Sequence, residues 1–279
     1  MNTLPLAVIL AAAPLLVSPA PDNPPLPDPQ ELKQRAIASL KQSDKDLEKY
    51  SCLVRDQTDE LNPDGSIKRH RSSEKEQFFV NGIEIDHTLE RDGKPLAGDA
   101  AKKEQQRVDK DVKKYSNQAE AEKSQDKDEK QVEMFLRALR FSNGRRERRD
   151  GRSIIVYDLS GDPKFHPKSI EERFAEALVG RIWLDEETGN VVELRIETYR
   201  DVKIGGGLLA NLHKGFHLHL VQERQPDGVW LTKAVDGNGD ARAGLFFHPR
   251  FRFEEDLLKC RLFSVESQQT VQPPSAKAQ

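Results

Sequence analysis

The segments that decide the fold of this chain are Gly180–Asp185 (Gly-Arg-Ile-Trp-Leu-Asp), Glu187–Asn190 (Glu-Thr-Gly-Asn) and Val191–Tyr199 (Val-Val-Glu-Leu-Arg-Ile-Glu-Thr-Tyr). The first and third segments alternate apolar and polar residues, and the middle one carries the Gly and Asn that tight turns favour. This pattern is typical of an antiparallel β-hairpin with one buried face and one solvated face.

The hairpin pattern continues towards the N-terminus. Tyr50–Leu61, Ile67–Val80 and Ile83–Arg91 have the composition of strands, and the turns Asn62–Gly65 and Asn81–Gly82 separate them. Asn-Gly is a preferred two-residue turn of β-hairpins. We therefore predict that these three strands form an antiparallel meander.

Two regions show helical spacing instead. Pro29–Glu48 places apolar residues three and four positions apart, and Asp28 can cap its first turn. Asp99–Lys130 consists mainly of Lys, Glu, Asp, Gln and Ala, which predicts a solvated and partly frayed helix. A stronger apolar stripe follows, so we expect this insertion, residues 99–141, to dock on the sheet only over Glu129–Phe141.

Further elements lie on either side of the opening hairpin. Ser153–Leu159 is predicted to be a strand, and Pro167–Leu178 a short helix. The Arg145–Arg152 cluster is interpreted as a solvated turn, with contact to anionic head groups or a partner as the alternative. Asp236–Asp240 resembles part of a calcium-binding loop, but Phe247 occupies the position of the essential Glu, so a tight turn is predicted.

Together these elements predict an α+β fold. Its main part is a large, curved antiparallel β-sheet wrapped on an N-terminal helix, and the charged helical insertion interrupts it. Such a sheet buries one face and exposes the other, which suits a chain in which only 36% of residues are hydrophobic.

The composition excludes two classes of protein. The chain has 279 residues, 44 Lys and Arg, 47 Asp and Glu, and a formal net charge of -3. Proteins that bind nucleic acid through its phosphates carry a basic excess, and proteins with several membrane spans need several long apolar runs. We therefore expect no nucleic-acid partner and no integral membrane span after processing.

The N-terminus has the layout of an export signal. An apolar run, Leu4–Val17, is shorter than the ~20 residues of a membrane span and is followed by small residues and prolines. The alternative is a buried or uncleaved helix. The first cysteine is Cys52, so no lipidated N-terminal cysteine is expected, and the predicted location is periplasmic or secreted. The predicted organisation is a signal peptide (residues 1–20), a Pro-rich linker (21–29), a single domain (30–267) and a disordered tail (268–279).

The chain contains two cysteines, Cys52 and Cys260, in strand-like segments near the two ends of the predicted domain. Export would allow them to form a disulfide, which would close a very long loop and connect the first strand to the last. The alternative is a pair of buried thiols that pack as small hydrophobic side chains.

The hairpin of Gly180–Glu193 resembles that of the outer-membrane lipoprotein-sorting protein-like superfamily, in which a G-x-I/V-W-I/L-D-x-x-T strand and turn precede an alternating strand. The later strand Gly228–Leu231, the preceding helix and the leader also fit, so the resemblance covers about Glu31–Glu266. It implies a half-open β-barrel with helices at its mouth. It also implies a carrier of lipoprotein acyl chains or other lipids, as in the periplasmic lipoprotein carriers.

A carrier needs an apolar inner face on its sheet. The candidate cavity residues alternate along predicted strands or follow the triple glycine Gly205–Gly207, which we interpret as a hinge or lid. They are Ile182, Leu184, Val192, Leu194, Ile196, Phe216, Leu218, Leu220, Leu208 and Leu209. The same alternation also describes a core filled by side chains, so both a cavity and a filled core remain possible.

The residues favour binding over catalysis. His213, His217 and His219 could in principle hold zinc, but an apolar inner face would leave His217 and His219 on the solvent side. The chain has no G-x-S-x-G elbow, and Gly205–Gly207 lacks the lysine of a phosphate-binding loop. We expect no metal and no cofactor.

The predicted function is a non-catalytic carrier or binding protein for a lipid, a lipoprotein acyl chain or another apolar ligand in the cell envelope. The alternative is an envelope protein-interaction or signalling module in which the charged helix docks a protein partner. A hydrolase or metal enzyme is the third hypothesis.

Overall fold

The structure is a computed structural model, and it describes residues 24–204, 210–243 and 248–262. The predicted signal peptide, the triple glycine, Leu208, Leu209 and the C-terminal tail lie outside the described residues.

The described part of the chain contains helices and strands in this order: α1 (Pro29–Leu47), β1 (Tyr50–Leu61), β2 (Ile67–Val80), β3 (Ile83–Arg91), β4 (Lys94–Pro95), α2 (Gly98–Tyr115), α3 (Gln118–Ala138), β5 (Leu139–Arg149), β6 (Arg152–Gly161), α4 (Ile170–Glu176), β7 (Leu178–Asp185), β8 (Val191–Thr198), β9 (Val202–Ile204), β10 (Ala210–Leu212), β11 (His217–Arg224), β12 (Trp230–Ala243) and β13 (Arg250–Leu262).

The strands form one open antiparallel sheet. Its main order is β4-β3-β2-β1-β13-β12-β11-β8-β7-β6-β5, and β9 and β10 form a side branch on β12. The first and last strands of the described residues, β1 and β13, are neighbours within this order. In the part of the chain that the structure describes, the edge strands β4 and β5 do not pair with each other, so the sheet is not closed. The predicted α+β fold is confirmed.

Short turns with left-handed residues produce this meandering order. Asn81 (φ 48°) and Gly82 (φ 73°) connect β2 to β3, and Asp150 (φ 49°) and Gly151 (φ 78°) connect β5 to β6. Two consecutive residues with positive φ match the right-handed twist of the strands on either side. Asn, Asp and Gly adopt this conformation at low cost, which is why the sequence marks these turns clearly.

The charged insertion differs from its prediction. It consists of two helices, α2 and α3, because Asn117 interrupts the helix and its side chain accepts hydrogen bonds from the backbone N–H groups of Ala119 and Glu120. Docking begins in α2, where Val108 and Glu104 are buried and the Glu104 carboxylate accepts a hydrogen bond from the backbone of β3. The prediction that only the end of the insertion docks is therefore wrong.

Three further segments also differ from their predictions. The helical part of the insertion ends at Ala138, and the basic segment after it is strand β5, not a turn. Asp236–Asp240 lies within strand β12, where Gly237 and Gly239 leave room for the rings of Phe253 and Phe251. Helix α4 begins at Ile170, where Ser169 and Glu172 form a capping box.

Three clusters of buried apolar residues stabilise the sheet. The helix-side cluster packs the first half of α1 on β5–β8; it contains Leu32, Ala36, Leu139, Ile155, Tyr157, Leu159, Leu178, Ile182 and Leu184. The disulfide cluster joins β1 and β12; it contains Tyr50, Cys52, Val54, Val229 and Leu231. The outer cluster contains Ile154, Val156 and Trp183. Residues of β6 alternate between the helix-side and outer clusters, so these two clusters lie on opposite faces of the sheet.

Candidate ligand cavity

A cavity of about 540 Å³ lies on the inner face of the sheet, the face that carries the helix-side cluster. Its wall includes residues of both the helix-side cluster and the disulfide cluster, so the cavity occupies the space between them. Strands near both edges of the sheet, β3 and β5, contribute to this one wall. The sheet must therefore curve around the cavity.

Helices complete the wall. Val132, Phe135 and Leu136 from α3 face the cavity, as do Ala36 from α1 and Phe174 from α4. Phe135 and Phe174 meet edge to face with their ring centres 6.1 Å apart. The spacing of the three α3 residues is a helical stripe, and this stripe could be seen in the sequence. The sequence does not reveal that this stripe shares a cavity with side chains of β8 and β11, because their proximity depends on how the chain folds in three dimensions.

Five of the ten predicted cavity residues line this space. Ile182, Leu194, Ile196, Leu218 and Leu220 contribute to the wall from β7, β8 and β11. Ile182 is buried, whereas the other four are only half-buried. Half-buried apolar side chains on a concave surface show that the protein itself does not fill this space completely.

Leu184 and Phe216 occupy other positions. Leu184 is fully buried within the helix-side cluster, because the first half of α1 packs on this end of the hairpin. Phe216 does not line the cavity and stacks edge to face on Phe174, with ring centres 5.6 Å apart. Leu208 and Leu209 lie outside the described residues.

Val192 lies on the opposite face of the sheet. The pairing of β7 and β8 shifts between Trp183 and Leu184, so that Trp183 pairs with Glu193 and Leu184 pairs with Val191. Val192 is the extra residue of this bulge and packs on the outer cluster. Val191 lines the cavity in its place. Counting alternate residues back from Leu194 predicts that Val192 faces the cavity, and this count cannot reveal a bulge that changes the face.

A group of ionisable side chains borders the cavity. Lys75 of β2 binds the carboxylates of Asp56 in β1 and Asp86 in β3, the latter with Nζ and Oδ2 2.9 Å apart. Glu84 of β3 and Glu255 of β13 line the cavity beside them. Burial lowers the pKa of Lys75, but its hydrogen bonds to Asp56 and Asp86 outweigh burial and raise this pKa above its ordinary value. Lys75 therefore stays charged.

The two glutamates of the wall have the opposite tendency. Burial raises the pKa of Glu255 to about 7, and a hydrogen bond with Asp56 adds to this rise. Burial also raises the pKa of Glu84, and the charge of Asp86 contributes. Each carboxyl group is therefore easier to protonate than an ordinary glutamate.

Lys33 fixes the position of α3 and was not predicted from the sequence. Its side chain is buried, and Nζ donates hydrogen bonds of 2.8 Å to the backbone carbonyls of both Leu136 and Leu139. These carbonyls lie where α3 ends and β5 begins, so the lysine satisfies groups that a helix end leaves unpaired. Burial lowers the pKa of Lys33.

The two cysteines form a disulfide in the structure. Cys52 and Cys260 are direct partners in the β1–β13 pairing, and their sulfur atoms are 2.01 Å apart. Cys52 also belongs to the cavity wall. The bond connects two central strands that are 208 positions apart in the sequence.

The outer face of the sheet is covered. The guanidinium groups of Arg149, Arg181 and Arg195 lie 5.1 to 5.7 Å from the ring centre of Trp183. Two of them, Arg149 and Arg195, also bind the buried carboxylate of Glu193. These contacts cover the apolar outer cluster with paired charges, whereas the inner face leaves apolar surface uncovered.

The histidines His213 and His219 lie beside acidic side chains. His219 lies on the outer face between Glu193 and Asp236, and His213 lies near Asp201. Within the described ranges, no group of three or more His, Cys, Asp or Glu side chains has the geometry to hold a metal ion. In the same part of the chain, no helix is long and apolar enough to cross a membrane.

The fold and the cavity together define an open antiparallel sheet that encloses an apolar cavity with the help of three helices. No family model matches the chain, and no curated protein matches it. Among solved structures, the chain is similar to a DUF1329 family protein from Desulfovibrio piger, with 13% sequence identity and a TM-score of 0.29. The match covers 85% of this chain and 94% of that chain. This similarity is too weak to support a statement about family or function.

Proposed function

We propose that this protein is a non-catalytic carrier or binding protein of the cell envelope, and that its cavity takes a lipid, a lipoprotein acyl chain or a similar apolar ligand. The observation that supports this proposal is the half-buried apolar wall around a space of about 540 Å³. Cavities that bind small molecules have volumes of roughly 300–1,000 Å³ and mostly apolar walls.

The hydrophobic effect can supply the affinity. Each methylene group that moves from water into an apolar cavity contributes about 0.8 kcal/mol, so ten methylenes contribute about 8 kcal/mol before the cost of ordering the chain. Binding of this kind needs no specific polar contact. It also stabilises the wall, because the half-buried side chains of β8, β11 and α3 lose their contact with water.

The location and the family belong to the same proposal. The apolar leader, residues 1–20, and the resemblance of Gly180–Glu193 to the lipoprotein-sorting hairpin support a periplasmic or secreted member of that superfamily. The open sheet and the helices that complete the cavity wall are compatible with this assignment. The proposal has no catalytic step, because transfer of the ligand from water into the cavity requires no chemical change.

The first test is to identify the ligand. The protein is purified under mild conditions and examined by native mass spectrometry, and its organic extract is then analysed for lipids. We expect a bound mass that disappears after extraction and reappears in the extract as a lipid or acyl chain. A preparation that never carries such a mass and does not bind added fatty acids or phospholipids would contradict the proposal.

The second test fills the cavity. Leu218→Trp places a large ring in the cavity, whereas His217→Trp places the same ring on the outer face of the same strand. With the uncharged probe N-phenyl-1-naphthylamine, we expect Leu218→Trp to weaken binding by about tenfold or more, since roughly 1.4 kcal/mol of lost contact has this effect. His217→Trp should bind the probe like the unmodified protein. Equal weakening by both substitutions would indicate binding outside the cavity.

A further inference from the structure

Four carboxyl groups lie around one lysine next to the cavity, and two of them, Glu84 and Glu255, line it. Asp56 and Glu255 are direct partners across β1 and β13, and Lys75 of β2 binds Asp56 and Asp86. Glu84 lies one strand further, on β3. If all five side chains were charged, the group would carry three uncompensated negative charges beside a largely apolar wall.

Among the described residues, no basic side chain forms an ion pair with Glu84 or Glu255. Arg107 of α2 is directed to Glu104 and to the backbone carbonyl of Asp86. Lys233 of β12 also lines the cavity, and its ammonium group lies 3.4 Å from Glu223. In residues 24–204, 210–243 and 248–262, no ion pair within 4.0 Å reaches either glutamate, and α3 contributes apolar side chains to the wall.

Part of the hydration of these glutamates depends on what occupies the cavity. Glu84 is an exposed residue that lines the cavity. Glu255 is half-buried and lines both the cavity and a second surface pocket, which Asp56, Arg71 and Arg91 also line. In the empty protein, water in the cavity can solvate their charges. An apolar ligand removes this water, and a carboxylate that loses its water without gaining a cation or a hydrogen bond is strongly disfavoured. The lowest-cost response is to take up a proton.

We propose that ligand binding in this cavity is coupled to protonation of Glu255, assisted by Glu84; this inference rests on the apolar-ligand function above. The protein then holds its ligand in mildly acidic conditions and releases it as the pH rises. Lys75, Asp56 and Asp86 keep their charges in this scheme, and the two glutamates are the groups whose charge changes.

The direction of the pH dependence follows from linkage. Burial already raises the pKa of Glu255 to about 7 in the empty cavity, and a ligand that removes water raises it further. The complex therefore binds more protons than the empty protein above about pH 7. Affinity should be constant below this pH and fall by up to about tenfold per pH unit above it, as one coupled proton requires.

The experiment measures binding of N-phenyl-1-naphthylamine, which is uncharged throughout, from about pH 5.5 to about pH 8.5. We expect affinity for the full-length protein to fall at least tenfold across this range. Calorimetry in two buffers of different ionisation enthalpy should show uptake of about one proton per probe bound near pH 8. A purely structural glutamate would give no such uptake.

Glu255→Gln removes the titrating group and keeps its shape, and Glu254→Gln alters the adjacent glutamate on the other face of β13. We expect Glu255→Gln to bind the probe at high pH as tightly as the unmodified protein does at low pH, with no proton uptake. Glu254→Gln should keep the normal profile. If Glu255→Gln does not fold, Glu84→Gln should flatten the profile in part.

The outcomes separate this inference from the proposed function. Strong probe binding with equal affinity at every pH would overturn the coupling and leave the apolar-ligand function in place. A steep profile that persists in Glu255→Gln and Glu84→Gln would also overturn it. Absence of probe binding at every pH, in protein shown by circular dichroism to be folded, would contradict the proposed function itself.

Discussion

At the scale of single residues, Asp185 links the sequence motif to the structure most directly. Its carboxylate accepts hydrogen bonds of 2.9 Å from both the backbone N–H and the hydroxyl of Thr188, and it binds Arg152 of the neighbouring strand. The side chain is almost completely buried. One carboxylate therefore closes the turn of the hairpin and connects β7 to β6.

Asp185→Ala should lower the free energy of unfolding by about 2–4 kcal/mol at neutral pH, because it leaves Arg152 and the turn N–H groups without their buried acceptor. The matched control is Glu187→Ala, which removes an exposed partner of the same arginine and should cost less than about 1 kcal/mol. Urea denaturation of the two variants measures the difference. Equal costs would contradict the role assigned to Asp185.

The same variant predicts a pH dependence. Burial favours a higher pKa for Asp185, but the hydrogen bonds from Arg152 and Thr188 outweigh it and hold this pKa below its ordinary value. The stabilisation is therefore complete above about pH 4 and is lost as the pH falls through the lowered folded pKa. The difference between Asp185→Ala and the unmodified protein should shrink in acid.

Single residues also show what the sequence could not reveal. The motif predicted the hairpin, its turn and its buried face, because alternation and turn chemistry are local properties. The bulge at Val192 changes which valine faces the cavity, and no local signal marks it. Lys33 is a second example, since a lysine in a helix is ordinarily solvated, and only the path of α3 makes it a buried donor.

At the scale of elements, α1 and the turn of the hairpin fit closely. Gly189 (φ +79°) ends this turn, and a Cβ atom there would lie 2.6 Å from the Cβ atom of Arg35 in α1. Arg35 also donates a hydrogen bond of 2.9 Å to the carbonyl of Glu186. The glycine therefore meets two requirements at once, a left-handed backbone and close contact with a helix.

Gly189→Ala should reduce stability by about 2–5 kcal/mol, of which about 1–2 kcal/mol is the cost of the left-handed conformation and the rest is overpacking against α1. Gly65→Ala is the matched control, because Gly65 has a similar φ of +85° and nothing within 4 Å of the added atom. Thermal or urea unfolding should show that Gly65→Ala lowers the free energy of unfolding only by the cost of the left-handed conformation. Equal losses would show that α1 does not press on the turn.

Elements differ in how far the sequence determines them. Strands β1, β2 and β3 have the predicted bounds, because Asn-Pro-Asp-Gly and Asn-Gly define their ends. The charged insertion was predicted less well, since its apolar stripe is thin. Its attachment in α2 depends on Glu104, a charged residue that is buried because Arg107 and the backbone of Thr88 pair with it. A buried charge of this kind gives no hydrophobic signal in the sequence.

At the scale of the whole molecule, the central question is whether the inner face is filled. The sequence could not answer it, because the same alternation of apolar residues produces a packed core or a cavity wall. The structure places one cluster under α1 and another around the Cys52–Cys260 disulfide, with the cavity between them. The separation of the buried residues into these two clusters has a thermodynamic consequence.

Leu32→Ala in the helix-side cluster and Val54→Ala in the disulfide cluster should each destabilise the ligand-free protein by a few kcal/mol. Because the cavity separates the two clusters, the double variant should lose the sum of the two values to within about 0.5 kcal/mol. Leu32→Ala combined with Leu184→Ala, within one cluster, should instead deviate from the sum by roughly 0.5–3 kcal/mol. Urea denaturation of the single and double variants after lipid extraction provides these values. A deviation above about 1 kcal/mol for Leu32 and Val54 would mean that the inner face is one continuous core, which leaves no space for the proposed ligand.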